Sequence, residues 1–137
     1  MTSIEGSLPD GAAARQLISE LRNGRKKLGM GEVVRRALSA QEVGRVTDAY
    51  LLLFYAARQG DAQAAFALAS LYDPNHFSPG IGLLEAPDSL QAYKWYRFAA
   101  SQQVPNANQR LQALHETIKK QATAGDPMAR RLLLNWQ

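Results

Sequence analysis

The chain carries an internal repeat, and this feature restricts its fold more than any other. When residues 48–64 are laid over residues 91–107, Ala49-Tyr50 meets Ala92-Tyr93, Ala56-Ala57 meets Ala99-Ala100 and Gln59 meets Gln102. A weaker echo places residues 122–129 over residues 57–64. A period of this size is typical of arrays of helix pairs, in which each unit buries its apolar face on the next. The paired alanines fit such an array because a methyl group lets two helices approach closely.

Hydrophobic spacing predicts helices along most of the chain. Ala65, Leu68, Ala69 and Tyr72 recur at i, i+3, i+4 and i+7, and no segment has the alternating pattern of a strand. Aspartates and glycines supply the starts and stops. We therefore expect an all-α protein. The predicted helices span residues 9–22, 32–38, 39–59, 62–72, 88–102, 105–122 and 128–136. Asp10 is expected to cap the first helix, residues 39–42 to form a capping box for the third, and Pro105 to lie in the first turn of the sixth.

Composition narrows the class of protein further. A length of 137 residues suits one compact domain, and 46% hydrophobic residues are enough to bury a core. The absence of cysteine excludes disulfides, iron–sulfur clusters and thiolate zinc sites. The longest apolar stretch, residues 49–57, is far short of a membrane span, and no signal peptide is visible. The expected location is cytoplasmic if the chain is complete and periplasmic if it is the soluble part of a longer exported protein, and the oligomeric state stays open.

One stretch has a more specific pattern. Its elements are, in order, Ala64, Leu68, Ala69, Tyr72, Gly80-Ile-Gly-Leu83, Asp88, Gln91-Ala92, Trp95-Tyr96 and Ala99-Ala100. Residues 64–103 thereby resemble a Sel1-like repeat, a relative of the tetratricopeptide repeat. Gln91 and Gln103 depart from the lysine and glycine usual in the family, and the loop is longer. The resemblance implies a short α-solenoid of antiparallel helix pairs over residues 41–137, with Trp95 and Tyr96 in its core. Residues 1–40 match no part of the pattern, and we expect them to form a helical capping extension.

No constellation of catalytic or metal-binding residues is evident. His76 lies in a proline-rich loop and His115 within a helix, and neither has a second ligand at i+3 or i+4. Gly80 and Gly82 lack the preceding strand and the further glycine or lysine of a phosphate-binding loop. We therefore expect a protein that is not an enzyme and that has no metal and no cofactor.

The chain is mildly basic, with a net charge of +4. Basic residues cluster at 25–27 and 35–36, but no aromatic residue precedes Tyr50, and binders of single-stranded nucleic acid need stacking surfaces. We interpret the cluster as solvated helix ends and expect no nucleic-acid partner.

Binding is the function that such an architecture supplies. The resemblance favours a protein–protein interaction module, a scaffold or adaptor in a bacterial-type signalling, envelope or secretion assembly. The alternative is an envelope protein associated with peptidoglycan or polysaccharide, which would require export.

The partner-binding surface is expected on the helix face that the core leaves free. In residues 62–72 the core stripe leaves Gln63, Phe66 and Ser70 on another face, and the repeat maps these positions onto Asn106, Gln109 and Ala113. The two sets should line one concave wall that holds a protein or peptide partner. A second interpretation, that Phe66 packs against the N-terminal extension, stays open.

Overall fold

The computed structural model describes residues 8–78 and 84–136, which contain α-helices and no strand. The helices are α1 (Ala12–Arg22), α2 (Met30–Glu42), α3 (Val46–Arg58), α4 (Ala62–Tyr72), α5 (Ser89–Ser101), α6 (Ala107–Thr123) and α7 (Pro127–Leu134). The prediction of an all-α protein is confirmed for these residues. The glycine loop expected at residues 80–83 lies outside them.

The helix boundaries predicted around residue 40 are wrong. A short helix at 32–38 followed by a capping box was expected, but α2 continues through Ser39 to Glu42. The boundary expected between the extension and the repeats therefore falls inside a helix. The break comes at Gly44, whose φ of 80° lies in the left-handed region that glycine adopts without steric cost. The N–H groups of Gly44 and Arg45 close this helix end by donating to the carbonyls of Gln41 and Ala40.

The same hydrogen-bond pattern ends three more helices. Gly60 and Gly125 occupy the left-handed position after α3 and α6, whereas Gln103 occupies it after α5 with a φ of 64°. The N–H groups of Gln103 and Val104 donate to the carbonyls of Ala100 and Ala99 at 2.9 and 3.1 Å. Gln103, which stands where the family usually has glycine, thus adopts a left-handed conformation that favours glycine.

The turn after α5 also moves the start of the next helix. Pro105 was expected in the first turn of α6, but the helix begins at Ala107. Gln103 and Asn106 both have positive φ, so Pro105 lies within the turn between two left-handed residues. Helix α7 begins at Pro127, one residue before the predicted start, and Asp126 caps it by accepting a hydrogen bond from the N–H of Met128.

Consecutive helices pack against each other. From α2 to α7 each helix contacts the next, and α1 packs on α3. Phe54 of α3 meets Trp95 of α5 with ring centroids 6.3 Å apart. Arg110 of α6 donates a hydrogen bond to Ser70 of α4 at 2.9 Å. Side-chain contacts thus also join α3 to α5 and α4 to α6.

Small residues fill many of the contacts between the helices. Nine alanines of α3, α4, α5 and α6 are at most 4% exposed, and Trp95 and Tyr96 are buried beside them as predicted. These nine are Ala49, Ala56, Ala57, Ala64, Ala65, Ala69, Ala92, Ala99 and Ala107. Large rings next to methyl groups allow a dense core between closely spaced helices.

Helices α1 and α3 cap each other. The carboxylate of Asp10 accepts hydrogen bonds from the N–H groups of Thr47 and Asp48, at 2.8 and 2.9 Å. The carboxylate of Asp48 accepts from the N–H groups of Gly11 and Ala14, at 3.0 and 2.9 Å. Asp10 was expected to cap its own helix, but it reaches instead to the start of α3, because the chain folds both amino ends to the same place. Burial raises the pKa of Asp10, but the hydrogen bonds from Thr47 and Asp48 outweigh it and leave the pKa lowered.

Arg45 completes this joint. Its Nε donates to Oδ2 of Asp48 at 2.7 Å, and its Nη2 donates to the carbonyls of Leu8 and Pro9. Asp48 is only 3% exposed, so its charge depends on these partners. The reciprocal caps and Arg45 together fix α1 on α3.

We predict that Asp48→Ala lowers the free energy of unfolding by about 3 kcal/mol, because it removes two caps and leaves the half-buried Arg45 without its carboxylate. Asp61→Ala is the matched control. Asp61 caps only its own helix through Ala64, so its loss should cost about 1 kcal/mol. Urea unfolding of both variants measures the difference. Equal losses would contradict the claim that Asp48 holds α1 and Arg45 in place.

We also predict that Gln103→Gly stabilises the protein by about 0.5–1 kcal/mol, because it relieves the left-handed strain of a residue with a side chain. Gln102, one position earlier, has a φ of −98°. Gln102→Gly should therefore destabilise the protein by about 0.5–1 kcal/mol, because glycine raises the conformational entropy of the unfolded chain and relieves no strain in the folded one. Thermal unfolding of the pair tests the prediction, which fails if both substitutions change stability in the same direction.

Candidate partner-binding surface

The predicted surface residues lie on two neighbouring helices. Gln63 is exposed and Phe66 and Ser70 are half-buried on α4, while Asn106 and Gln109 are exposed at the start of α6. Ala113 is exposed one turn further along α6. We call the residues Gln63, Phe66, Ser70, Asn106, Gln109 and Arg110 the α4/α6 face.

Two side-chain contacts join α4 to α6. Near the start of α6, Nη1 of Arg110 donates to Oγ of Ser70 at 2.9 Å. Further along, the hydroxyl of Thr117 donates to Oδ1 of Asn75, just past the end of α4, at 2.8 Å. The two contacts hold α6 against α4 and against the segment that follows α4.

Phe66 lies between a tyrosine and an arginine. Its ring centroid is 5.7 Å from that of Tyr96 on α5, and Cζ of Arg110 lies 5.0 Å from the ring centroid. A guanidinium over a phenyl ring is a favourable arrangement, and it shields part of the ring from water. These ring contacts come from α5 and α6, whereas the second interpretation had placed Phe66 against the N-terminal extension. Phe66 is consequently a partly accessible element of the face and not a free-standing anchor.

Arg110 organises the centre of the face, and the sequence did not reveal it. Its Nη1 donates to the hydroxyl of Tyr96 at 3.0 Å as well as to Ser70. In the internal repeat Arg110 corresponds to Ala67. The repeat pattern therefore carries no arginine at this position, and only the contact between α4 and α6 identifies it.

A buried aspartate lies behind Arg110. Asp73 is 0% exposed. Its Oδ2 accepts from the hydroxyl of Tyr96 at 2.8 Å, and its Oδ1 accepts from the N–H of Asn75 at 2.8 Å. Burial, more than these bonds, raises the pKa of Tyr96 to about 12. Asp73, Tyr96, Ser70 and Arg110 form a continuous hydrogen-bonded chain from the core to the surface, which fixes the position of the guanidinium.

The two histidines have other surroundings. The ring of His115 stacks on Trp136 with centroids 4.6 Å apart, and Nε2 of His76 lies 4.0 Å from Oδ2 of Asp73. Across residues 8–78 and 84–136, no three side chains of histidine, aspartate or glutamate come together in a group that could hold a metal ion.

Much of the basic charge near the amino end is paired within the chain. Lys26 lies 3.7 Å from Glu20, and Arg35 and Arg36 both contact Glu32 on α2. These residues border an open groove of about 1000 Å³ between α1 and α2. Arg35 and Arg36 lie in the middle of α2 and not at a helix end as expected. Their pairing weakens the charge available to a polyanion.

The chain was compared with protein-family models, with curated proteins and with solved structures, and none of them matches it. In the part of the chain that the structure describes, no helix combines the length and the apolar character needed to cross a membrane. The resemblance to a Sel1-like repeat therefore stays a prediction from the sequence.

We predict that Tyr96→Phe lowers the free energy of unfolding by about 1–3 kcal/mol, because Asp73 and Arg110 both lose the hydroxyl that joins them. Tyr55, half-buried on α3, is the matched control. Its ring receives Arg22 at 5.9 Å, and Tyr55→Phe keeps that ring, so we expect a change below about 0.5 kcal/mol. Chemical denaturation compares the two, and similar values would contradict the chain of hydrogen bonds.

The same variant has a pH signature. A pKa of about 12 for Tyr96 in the folded protein exceeds the ordinary value of about 10. The stability that depends on the protonated hydroxyl is present below pH ~10 and lost as the pH rises toward ~12. Tyr96→Phe should lack this part of the alkaline loss.

Proposed function

We propose that this protein is a non-catalytic interaction module of the helical-repeat type, a scaffold or adaptor that binds a protein or peptide partner on the α4/α6 face. One observation carries the proposal. The internal repeat makes α4 and α6 equivalent helices of successive units, and Ser70 and Arg110 tie them side by side. Equivalent helices in one layer give a continuous surface, which is how arrays of helix pairs hold their partners.

Two further features support a short α-solenoid with a Sel1-like pattern. The ends of α2, α3, α5 and α6 share one hydrogen-bond pattern, with a left-handed residue each time. The alternate helices α3 and α5 also contact each other, as Phe54 and Trp95 show. A repeated turn and a repeated lateral contact are what stacked helix pairs require.

The composition of the α4/α6 face suits a peptide. Gln63, Asn106 and Gln109 present exposed amide groups, which donate and accept hydrogen bonds and so match a peptide backbone. Phe66 adds a partly accessible ring at the centre. A small apolar centre surrounded by polar groups is the usual anatomy of a protein interface.

The experiment is a selection of random displayed peptides on the purified protein, followed by affinity measurement on variants. Gln63→Ala combined with Gln109→Ala removes two exposed amides from the face and should weaken binding of the selected peptides roughly tenfold, which equals about 1.4 kcal/mol. The control is Gln16→Ala. Gln16 is exposed on α1, at the groove between α1 and α2, and its loss should leave binding unchanged.

Two outcomes would contradict the proposal. One is that the selection yields no peptide that binds the folded protein. The other is that the selected peptides are insensitive to the double substitution on the α4/α6 face but respond to Gln16→Ala, which would move the binding surface to α1.

A further inference from the structure

Arg110 differs from every other basic residue of the chain. The sequence has 16 lysines and arginines, all within the described residues, and only Arg45 and Arg110 are not exposed. Arg45 has a carboxylate partner, since Asp48 lies 2.7 Å away. Among the described residues, Arg110 forms no ion pair. A partly buried cation without a carboxylate loses hydration and does not recover it from an opposite charge.

The guanidinium of Arg110 has hydrogen-bonding capacity to spare. It carries five N–H groups, and its contacts with Ser70 and Tyr96 both use Nη1. No acceptor among the described residues bonds to Nε or Nη2. The buried carboxylate of Asp73 contacts the hydroxyl of Tyr96 and not Arg110 itself. Arg110 is therefore held in place on one side while its other donors lack an acceptor within the described chain.

Arg110 is the only charged residue of the α4/α6 face, since the carboxylate of Asp73 is buried behind it and is linked to it through the hydroxyl of Tyr96. Helix α4 contains no acidic or basic residue, and in residues 107–114 of α6 the only one is Arg110. The α4/α6 face thus presents a single positive charge among amides, a hydroxyl and a phenyl ring. The complement of such a face is a segment with a single negative charge at the corresponding position.

The geometry points to a carboxylate as this charge. We propose that Arg110 binds the side-chain carboxylate of an aspartate or glutamate in the peptide partner, through its Nε and Nη2 groups. A carboxylate has one negative charge and two oxygens that match the planar fork of a guanidinium. A phosphate group carries nearly two charges at neutral pH, and one arginine would not balance them. The inference rests on the proposed function and adds to it the chemistry of the partner.

The test uses the peptides selected on the wild-type protein. We expect them to share an acidic residue at one position. Replacing that residue by its amide, Asp by Asn or Glu by Gln, should weaken binding at least about tenfold, and Arg110→Gln should weaken the unmodified peptide by a similar factor. Combining both changes should weaken binding little further, because each removes the same interaction.

Two variants control for folding and for general charge. Arg110→Lys keeps the charge but loses the planar fork, so binding should fall between the wild type and Arg110→Gln. Arg131, exposed on α7, is the charge control, and Arg131→Gln should leave binding unchanged. If Arg110→Gln does not fold, the test uses the affinities of the original and the amide-substituted peptides for the wild type and for Arg110→Lys.

The results that would overturn the inference are distinct from those that overturn the proposed function. Peptides that bind the α4/α6 face without a shared acidic residue would refute the carboxylate contact alone. Additive effects in the double substitution would do the same. A third outcome is that binding is lost when the carboxyl terminus of the peptide is amidated but not when the acidic side chain is replaced by its amide. This outcome would assign the contact to a terminal carboxylate and overturn the inference. A selection without binders would overturn both proposals.

Discussion

The close packing of α4 against its neighbours is the constraint on which the rest of the structure depends. Its Ala64, Ala65, Leu68 and Ala69 are all 0% exposed, and the helix contacts α3 on one side and α5 on the other. A helix with methyl groups on its buried face admits neighbours on more than one side at short distance. The large rings of Trp95 and Tyr96 are buried in the same core as these methyl groups.

This packing buries a carboxylate, which hydrogen bonds to other polar groups stabilise. Because α4 ends inside the structure, Asp73, which follows it directly, is fully buried. A buried carboxylate is tolerated only with hydrogen-bond partners, and Tyr96 and the N–H of Asn75 supply them. The hydroxyl of Tyr96 in turn accepts a hydrogen bond from Arg110. The position of the arginine on the α4/α6 face is thus a consequence of how the end of α4 is accommodated in the core.

The N-terminal segment is attached by polar contacts as well as apolar ones. Ala14 and Leu17 of α1 are buried in the common core. Asp10 and Asp48, however, exchange caps between helices that are far apart in sequence, with Arg45 closing the joint. Unsatisfied N–H groups at a helix start need acceptors wherever these come from. Exchanged caps are more specific than apolar contact alone, because they fix both the height and the rotation of α1 on α3.

The sequence by itself determined the features that depend on neighbouring residues. The helical class follows from apolar spacing, the caps at Asp61 and Asp126 bond to N–H groups within their own helices, and Gly60 ends α3 by a local turn. The tertiary structure alone decided the partners of Asp10, Asp48, Asp73 and Arg110, since their contacts link different elements. The same is true of the hydrogen bond that joins the two helices of the α4/α6 face. The repeat placed Gln63 and Phe66 in correspondence with Asn106 and Gln109, but the residue that joins the two helices has alanine as its counterpart. Local patterns fix local hydrogen bonds, whereas a contact between helices depends on distances that only the folded chain defines.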